Sequence, residues 1–254
     1  MSARRPISSI DEAIEAMDAR IDRCLDTGDR GGLFAVVYRA VTARVRDDIR
    51  EGLFDDCERL ERFDVLFARR YLDAVRAWDE DAPVPHSWAL AFETDTRADR
   101  IALQHVLLGI NAHINLDLGI AAVDATAAGE VDELRADFEL INDVLADLID
   151  QMQHAIATVS PWSALVDRVG LRLDEALASF VLRQARAEAW DLAVSLSRLP
   201  PEARESAIER RDRAVMDFGR RIAQPSGPLR WAVSLALRRE RDDLAAVAAA
   251  LTPA

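Results

Sequence analysis

The sequence predicts an all-α fold, a single helical bundle of about eight to ten helices. Apolar residues recur at the helical period along nearly the whole chain, and Ala, Leu, Arg, Asp and Glu dominate it. No segment alternates with the period of a strand, and no Asn-Gly hairpin is present. Connections are short and no linker separates two halves, so residues 1–254 are predicted to form one domain with a disordered start at 1–8.

Capping and breaking residues divide this domain into helices. Ser8-Ser9 ahead of Asp11-Glu12 resembles a capping box, and Gly28 closes the first helix. Gly52 ends the second helix, and either Asp55 or Asp56 caps the third. The acidic stretch 79–85 holds two prolines and is predicted to be a loop.

Later breaks lie at 127–129, at Ser160-Pro161, at Pro200-Pro201 and at 224–228. The C-terminal region 229–254 could be a packing arm or an oligomer contact, so a homo-oligomer is possible. The predicted helices cover about residues 10–26, 33–51, 56–78, 88–92, 97–123, 131–158, 171–199, 202–222 and 229–250.

Composition limits the partners and the location of the protein. The net charge is −13, and the arginines are interleaved with acidic residues rather than clustered, which argues against nucleic acids and anionic membranes as partners. Cys24 and Cys57 are the only cysteines, too few for a disulfide scaffold. We find no signal peptide and no apolar run of about 18 residues that could span a bilayer, so a cytoplasmic location is expected.

The helix predicted over 97–123 is apolar, yet it carries five polar residues. Buried polar groups cost about 1–3 kcal/mol each unless they are paired. At about 100° per residue, His113 and Asp117 lie about 40° apart on one face, with His105 flanking them. Asn111 and Asn115 lie about 160° from His113 and are expected to bridge neighbouring helices.

His113 and Asp117 are the candidate catalytic pair. An aspartate four residues from a histidine can fix the imidazole tautomer for acid–base chemistry. The same pair can bind a divalent metal, which needs three or four protein ligands. Only His86 and His154 remain as further imidazoles, so carboxylates would have to complete such a site. The structural alternative is a buried histidine hydrogen-bonded to a carboxylate that orders the bundle.

Neighbouring helices offer further candidates for a ligand-binding or polar network. Asp137 and Asn142 lie beside apolar positions of the next helix, which should pack antiparallel to the polar one. One of two adjacent arginines on the third helix is expected to pair with a buried acid. The candidates from other helices are Arg70, Tyr71, Asp137, Asn142, Arg186 and Trp190, and Trp190 is expected to be a core residue more than a ligand platform.

A lesser alternative comes from the stretch 142–150. Asn142-Asp143-x-x-Ala146-x-x-x-Asp150 has the spacing of the magnesium-binding motif of class I terpene synthases, in a degenerate form. Its acidic partner motif is not present in proper form at Asp55-Asp56. Signatures of serine hydrolases, zinc proteases, P-loop and dinucleotide-binding proteins and ferritin-like di-iron proteins are all missing from the sequence.

The polar helix also carries a family resemblance. The segment Leu-Gly-Ile-Asn-Ala-His-Ile-Asn-Leu-Asp-Leu, residues 108–118, with Tyr71, Trp88, Asp137-Phe138 and Ala189-Trp190, resembles an actinobacterial and fungal family known only as a domain of unknown function. The resemblance covers roughly residues 30–200. It implies that these polar residues belong to a family motif, and it supplies no mechanism.

Two functional hypotheses follow from the residues. The first is an enzyme that acts on a largely apolar small molecule in an interior pocket, with His113 and Asp117 as acid–base pair or metal ligands. The second is a non-enzymatic protein whose buried polar network fixes the register of its helices. The enzyme requires a cavity that reaches His113, whereas the structural network requires this histidine to be enclosed and fully hydrogen-bonded.

Overall fold

A computed structural model describes residues 6–95, 100–126, 130–142, 144–145 and 175–238, together with residues 245 and 249. The described residues are predominantly helical and include no strand, so the predicted all-α helical bundle is confirmed. In chain order the elements are α1 (Ile10–Thr27), α2 (Gly32–Arg50), α3 (Cys57–Asp79), α4 (His86–Asp95), α5 (Ala102–Ala112), a π-helical turn (His113–Asp117), α6 (Leu118–Ala125), a 3₁₀ turn (Val131–Leu134), helical residues 135–142, α7 (Glu175–Ser197), α8 (Pro201–Ala223) and α9 (Gly227–Leu237).

The residues that were predicted to cap or end the first helices do so in the structure. The Ser9 hydroxyl accepts a hydrogen bond from Glu12 N at 3.2 Å, and Gly28 closes α1 in the left-handed conformation with φ of 72°. Asp56 caps α3 by accepting a bond from Arg59 N at 2.9 Å. Within the predicted disordered start, Ser8 is held by Glu12, to which its N–H and hydroxyl both donate.

The continuous helical run Ala102–Ala125 lies at the centre of the bundle, where its parts contact α2, α3, α4, α7 and α8. This run begins later than the predicted residue 97. Ile101 is extended, and its N–H donates to Gln104 Oε1 in a capping arrangement that fixes the start of α5. The chain crosses from α4 to α5 before this cap, which the apolar periodicity alone does not reveal.

The same run corrects the expectation that no apolar segment is long enough to span a membrane. Among the described residues, the 24-residue run Ala102–Ala125 passes by length and composition. However, 78% of its most apolar stretch is buried inside the bundle. This burial is the pattern of a central core helix packed on several sides.

The main core is rich in aromatic side chains that come from α2, α3 and α4. Trp88, Tyr71 and Phe63 are the largest of the fully buried side chains in the described part of the chain. Phe34 and Tyr38 of α2 pack against Tyr71 of α3 at ring-centroid distances of 5.0 and 6.0 Å. These rings surround the central run at the point where its helical type changes.

Several sequence predictions fall partly or wholly outside the described residues. The helix predicted over 131–158 begins as the 3₁₀ turn and continues as helix at 135–142 and 144–145. His154, Pro161 and three of the four residues of the terpene-synthase-like motif (143, 146 and 150) lie outside the described residues. Most of the region after α9 lies outside them as well.

Candidate functional site

The central run changes from an α-helix to a single π-helical turn at His113–Asp117. Leu118 N–H bonds to His113 O, five residues earlier, instead of four. Such turns are rare and are frequently found at functional sites. Here the turn holds the two candidate catalytic residues, and His113 Nδ1 lies 3.1 Å from Asp117 Oδ2.

Asp117 is held by donors from three different elements. Arg70 Nε of α3 donates to Asp117 Oδ1 at 2.9 Å, and Trp88 Nε1 of α4 donates to Oδ2 at 2.8 Å. Burial alone would raise the pKa of Asp117, but the bonds from His113 and Trp88 and the charge of Arg70 lower it overall. Asp117 is therefore an ionised carboxylate, 1% exposed, with both oxygens bonded.

His113 lies in a cage of aromatic rings. Its imidazole stacks on Phe67 of α3 at a centroid distance of 3.6 Å and an interplanar angle of 5°. The Tyr38 ring meets it edge-on at 4.4 Å, and the rings of Phe34, Trp88 and Tyr71 lie 5.8, 6.0 and 6.1 Å away. Only 1% of His113 is exposed.

Burial lowers the pKa of His113 below its ordinary value, although the bond to Asp117 opposes this change. The imidazole is therefore neutral near pH 7. Since Asp117 is ionised, we assign the single ring proton to Nδ1, where it donates to the carboxylate. Nε2 then carries a lone pair, and it has no hydrogen-bond partner among the described residues.

Three further buried polar atoms, on helices α2 and α3, have no hydrogen-bond partner in the described part of the chain: Tyr38 Oη, Thr42 Oγ1 and Asp64 Oδ2. Tyr38 and Thr42 stand one turn apart on α2. Asp64 stands one turn before Phe67 on α3, and Phe67 is the ring on which His113 stacks. These buried polar groups therefore lie on the two helices whose Tyr38 and Phe67 rings contact His113.

Burial raises the pKa of Asp64 to about 7, and the neighbouring Glu61 adds to the effect. Burial also raises the pKa of Tyr38 well above its ordinary value, with a contribution from the charge of Asp64. Sequence reasoning missed both residues and Thr42. The signal was present for Asp64, because its helix face also carries Leu60, Phe67, Ala68 and Tyr71 and is otherwise apolar.

Asn111 and Asn115 face away from this site and towards α8. Asn111 Nδ2 donates to Val215 O at 3.0 Å, and Asn115 Nδ2 donates to Asn111 Oδ1 at 3.0 Å. Arg211 Nε of α8 in turn donates to Asn115 O at 2.7 Å. The two asparagines therefore connect the central run to α8.

His105 belongs to a second dyad. Its Nδ1 lies 3.2 Å from Asp95 Oδ1, at the end of α4, and His105 is 2% exposed. Sequence reasoning placed His105 on the flank of His113 and did not identify Asp95 as its partner. The two residues belong to different helices, α4 and α5, so helical spacing gives no indication of the contact.

Asp137, Asn142, Arg186 and Trp190 form contacts elsewhere in the bundle. Asp137 accepts bonds from Asp55 N at 2.8 Å and from Asp56 N at 3.2 Å, ahead of α3. Arg186 of α7 donates to Asn142 Oδ1 at 2.6 Å and to a backbone carbonyl at residue 138, and burial lowers its pKa to about 9. Trp190 is 7% exposed and packs in the core.

The geometry bears on the metal alternative as well. His113 Nδ1 and Asp117 Oδ2 lie at hydrogen-bond distance, and Asp117 also accepts bonds from Arg70 and Trp88. The described residues contain no group of three or more His, Cys, Asp or Glu side chains placed to hold a metal ion. The pair is arranged as a hydrogen-bonded dyad, and Nε2 of the imidazole has no hydrogen-bond partner among the described residues.

Comparison with known proteins places the chain in a family. No curated protein and no solved structure matches it. The sequence model of the family of unknown function DUF5995 matches residues 10–225, a range that includes both dyads. The match spans most of the chain, so the expected membership in a domain-of-unknown-function family is confirmed: the protein belongs to the DUF5995 family, a family of unknown function.

Proposed function

We propose that the protein is an enzyme that transfers a proton to or from a small, mostly apolar molecule. His113 Nε2 is the base in this proposal, and Asp117 positions the imidazole and stabilises its charged form. The observation that carries the proposal is the unpartnered Nε2 of a buried histidine whose other nitrogen is firmly bonded.

The asymmetry of the dyad distinguishes it from a simple structural network. Asp117 receives bonds from Arg70, Trp88 and His113, so its acceptor capacity is well used. A network that only fixed helix register would gain about 1–3 kcal/mol by pairing the remaining nitrogen as well. Its unpaired state, beside an ionised carboxylate that fixes the tautomer, is the arrangement that a general base requires.

Asp64, one turn before Phe67 on α3, is the complementary acid that we propose. With a pKa of about 7, the Asp64 carboxyl group is protonated in a large fraction of molecules near neutral pH. The pKa of His113 is lowered, so its imidazole is neutral. Environments that move two pKa values in these directions are typical of acid–base pairs in active sites. In the proposed cycle His113 Nε2 accepts the proton of the substrate, and Asp64 can return one.

The surroundings indicate the class of substrate. The walls are the rings of Phe34, Tyr38, Phe67, Tyr71 and Trp88, which favour a flat apolar body. The charge of Asp117 is already balanced by Arg70, so no unpaired cation of the dyad would attract an anion. A neutral molecule therefore fits best, and it must enter through local opening because His113 is 1% exposed.

The competing function is a non-enzymatic helical protein, and the enclosure of His113 is the observation that favours it. The two proposals differ in how often His113 becomes accessible. Global unfolding at about 5–15 kcal/mol would protect a buried group roughly 10⁴- to 10¹¹-fold. A site that admits a substrate opens locally at much lower free energy.

Diethyl pyrocarbonate, a small neutral electrophile that acylates unprotonated imidazole, measures this accessibility. The rate of modification of each histidine in the native full-length protein is followed by peptide mass spectrometry, with exposed His86 as the reference. We expect His113 to react with less than about 10³-fold protection, well below that of global unfolding. Protection equal to that of global unfolding, measured in urea, would support the structural network instead.

Proton transfer itself is tested with 5-nitrobenzisoxazole, a flat neutral molecule. A base removes the proton on its carbon while the ring N–O bond breaks, and the product is a coloured phenolate. We expect the wild type to accelerate this elimination, His113→Gln to lose the acceleration, and His86→Gln to retain it. Equal rates for the wild type and His113→Gln, with both proteins folded, would contradict a role for His113 as a base.

A further inference from the structure

A cavity of about 10 Å³ lies beside the second dyad, His105 and Asp95. Phe34, Tyr71 and Trp88 line this cavity, and the same three rings contact His113. His113 is not among the lining residues, so the cavity is distinct from the site proposed above.

The dyad is oriented so that one nitrogen of His105 is unused. His105 Nδ1 lies 3.2 Å from Asp95 Oδ1, and Nε2 has no hydrogen-bond partner among the described residues. The side chain of His105 is buried and lines the cavity. With the proton on Nδ1 facing the carboxylate, Nε2 is an acceptor on a side chain that lines the cavity.

The size of the cavity selects its occupant. A volume of about 10–15 Å³ accommodates the centre of roughly one water molecule. Gly31 and Gly109 line the cavity, and neither position admits a larger side chain that would fill it. A Cβ added at Gly31 would lie 2.5 Å from Asp95 Oδ2, and one at Gly109 would lie 2.3 Å from Phe34 Cγ.

The chemistry of the walls selects a neutral hydrogen-bond donor. The aromatic lining disfavours any ion that lacks a partner, and the Asp95 carboxyl group disfavours an anion further. Burial raises the pKa of Asp95 to about 6, although the bond from His105 opposes this, so Asp95 remains mostly ionised at pH 7. The acceptor at His105 Nε2 then needs a donor that carries no charge.

We propose that this cavity is a binding site for one water molecule, which donates a hydrogen bond to His105 Nε2. Asp95 positions His105 by accepting the proton of Nδ1. The bound water packs against Trp88, whose Nε1 also holds Asp117 of the first dyad. The site therefore connects the two dyads through one indole ring, and its existence does not depend on the proposed enzymatic function.

Nitrogen-15 NMR of the histidine-labelled, full-length wild type tests this proposal. The chain has four histidines, so their signals are few and can be assigned by single His→Gln variants. We expect His105 Nε2 to be unprotonated, with the upfield shift of a hydrogen-bonded acceptor, and its ring protons to show cross-relaxation with a long-lived water. A protonated Nε2, or no cross-relaxation with water, would overturn the proposal.

A cavity-filling variant tests whether the water that contacts His105 lies in this cavity. Ala91 lines the cavity, and Ala91→Val adds two methyl groups at its wall. We expect this variant to lose the cross-relaxation between water and His105, while Ala112→Val, at a buried position that does not line the cavity, retains it. Undiminished cross-relaxation in folded Ala91→Val would place the water elsewhere and overturn the proposal. If Ala91→Val does not fold, the wild-type spectra alone decide.

Discussion

Replacing Asp64 with asparagine removes a buried carboxyl group while preserving its shape. Burial raises the pKa of Asp64 from 3.8 to about 7 in the folded protein. In the unfolded chain an aspartate titrates near its ordinary value, about 3.9. Between these values the folded protein retains a proton that the unfolded chain has released, so the free energy of unfolding falls as the pH rises.

The size of this effect follows from the two pKa values. Across the full titration, a pKa raised from 3.8 to about 7 corresponds to roughly 4 kcal/mol of unfolding free energy. Between pH 5.5 and 8.5, a range above the isoelectric point of about 4.8, the loss is roughly 2 kcal/mol. Asp64→Asn has no such titration, so we expect it to gain roughly 2 kcal/mol relative to the wild type over this range.

Urea denaturation at the two pH values and constant ionic strength measures this double difference. Comparing the variant with the wild type at both pH values cancels any pH-independent cost of placing an amide at this position. Glu61→Gln is the matched control, because it leaves Asp64 in place and should keep most of the pH dependence. If Asp64→Asn follows the pH dependence of the wild type within about 0.5 kcal/mol, Asp64 is not protonated near neutral pH and the reasoning is refuted.

Three further substitutions test the contacts around the site. Asp117→Ala should lower the unfolding free energy by about 3–5 kcal/mol in urea denaturation, because two buried donors and the half-buried Arg70 lose their acceptor. Exposed Asp26→Ala should change it by less than about 0.5 kcal/mol. Gly109→Ala should cost about 1–3 kcal/mol and lower Tm, because the new Cβ would lie 2.3 Å from Phe34 Cγ; an unchanged Tm would show that the helices can separate freely. Asp212 of α8 accepts hydrogen bonds from the backbone N–H groups of His86 and Ser87 in the first turn of α4. Asp212→Ala should therefore lower the unfolding free energy by about 2–3 kcal/mol and accelerate amide exchange in that turn, and unchanged exchange there would contradict a capping role.

Helical periodicity was sufficient to predict the bundle and the pairing of His113 with Asp117. Residues four apart lie on one helix face, and this local rule survives the π-helical turn that brings the two side chains together. The same rule separated Asn111 and Asn115 from the dyad, and in the structure they contact α8. The separation of these two faces depends only on spacing within one helix, which can be read directly from the sequence.

Contacts between helices could be predicted only in part from the sequence. An inward arginine on α3 was expected, and Arg70 takes that place. Trp88 as a donor to Asp117 and Asp95 as the partner of His105 depend on how α4 crosses the central run. That crossing is set by packing over the whole core, and no spacing within one helix encodes it.

In the proposed mechanism, His113 is a neutral imidazole with its proton on Nδ1 and a free lone pair on Nε2. Nitrogen-15 NMR of the histidine side chains between pH 5 and 8 measures this state directly. We predict a protonated Nδ1 and an unprotonated Nε2 at pH 7, with the imidazole still neutral at pH 6.5 because burial lowers its pKa. A proton on Nε2, or an imidazolium at neutral pH, would contradict the account.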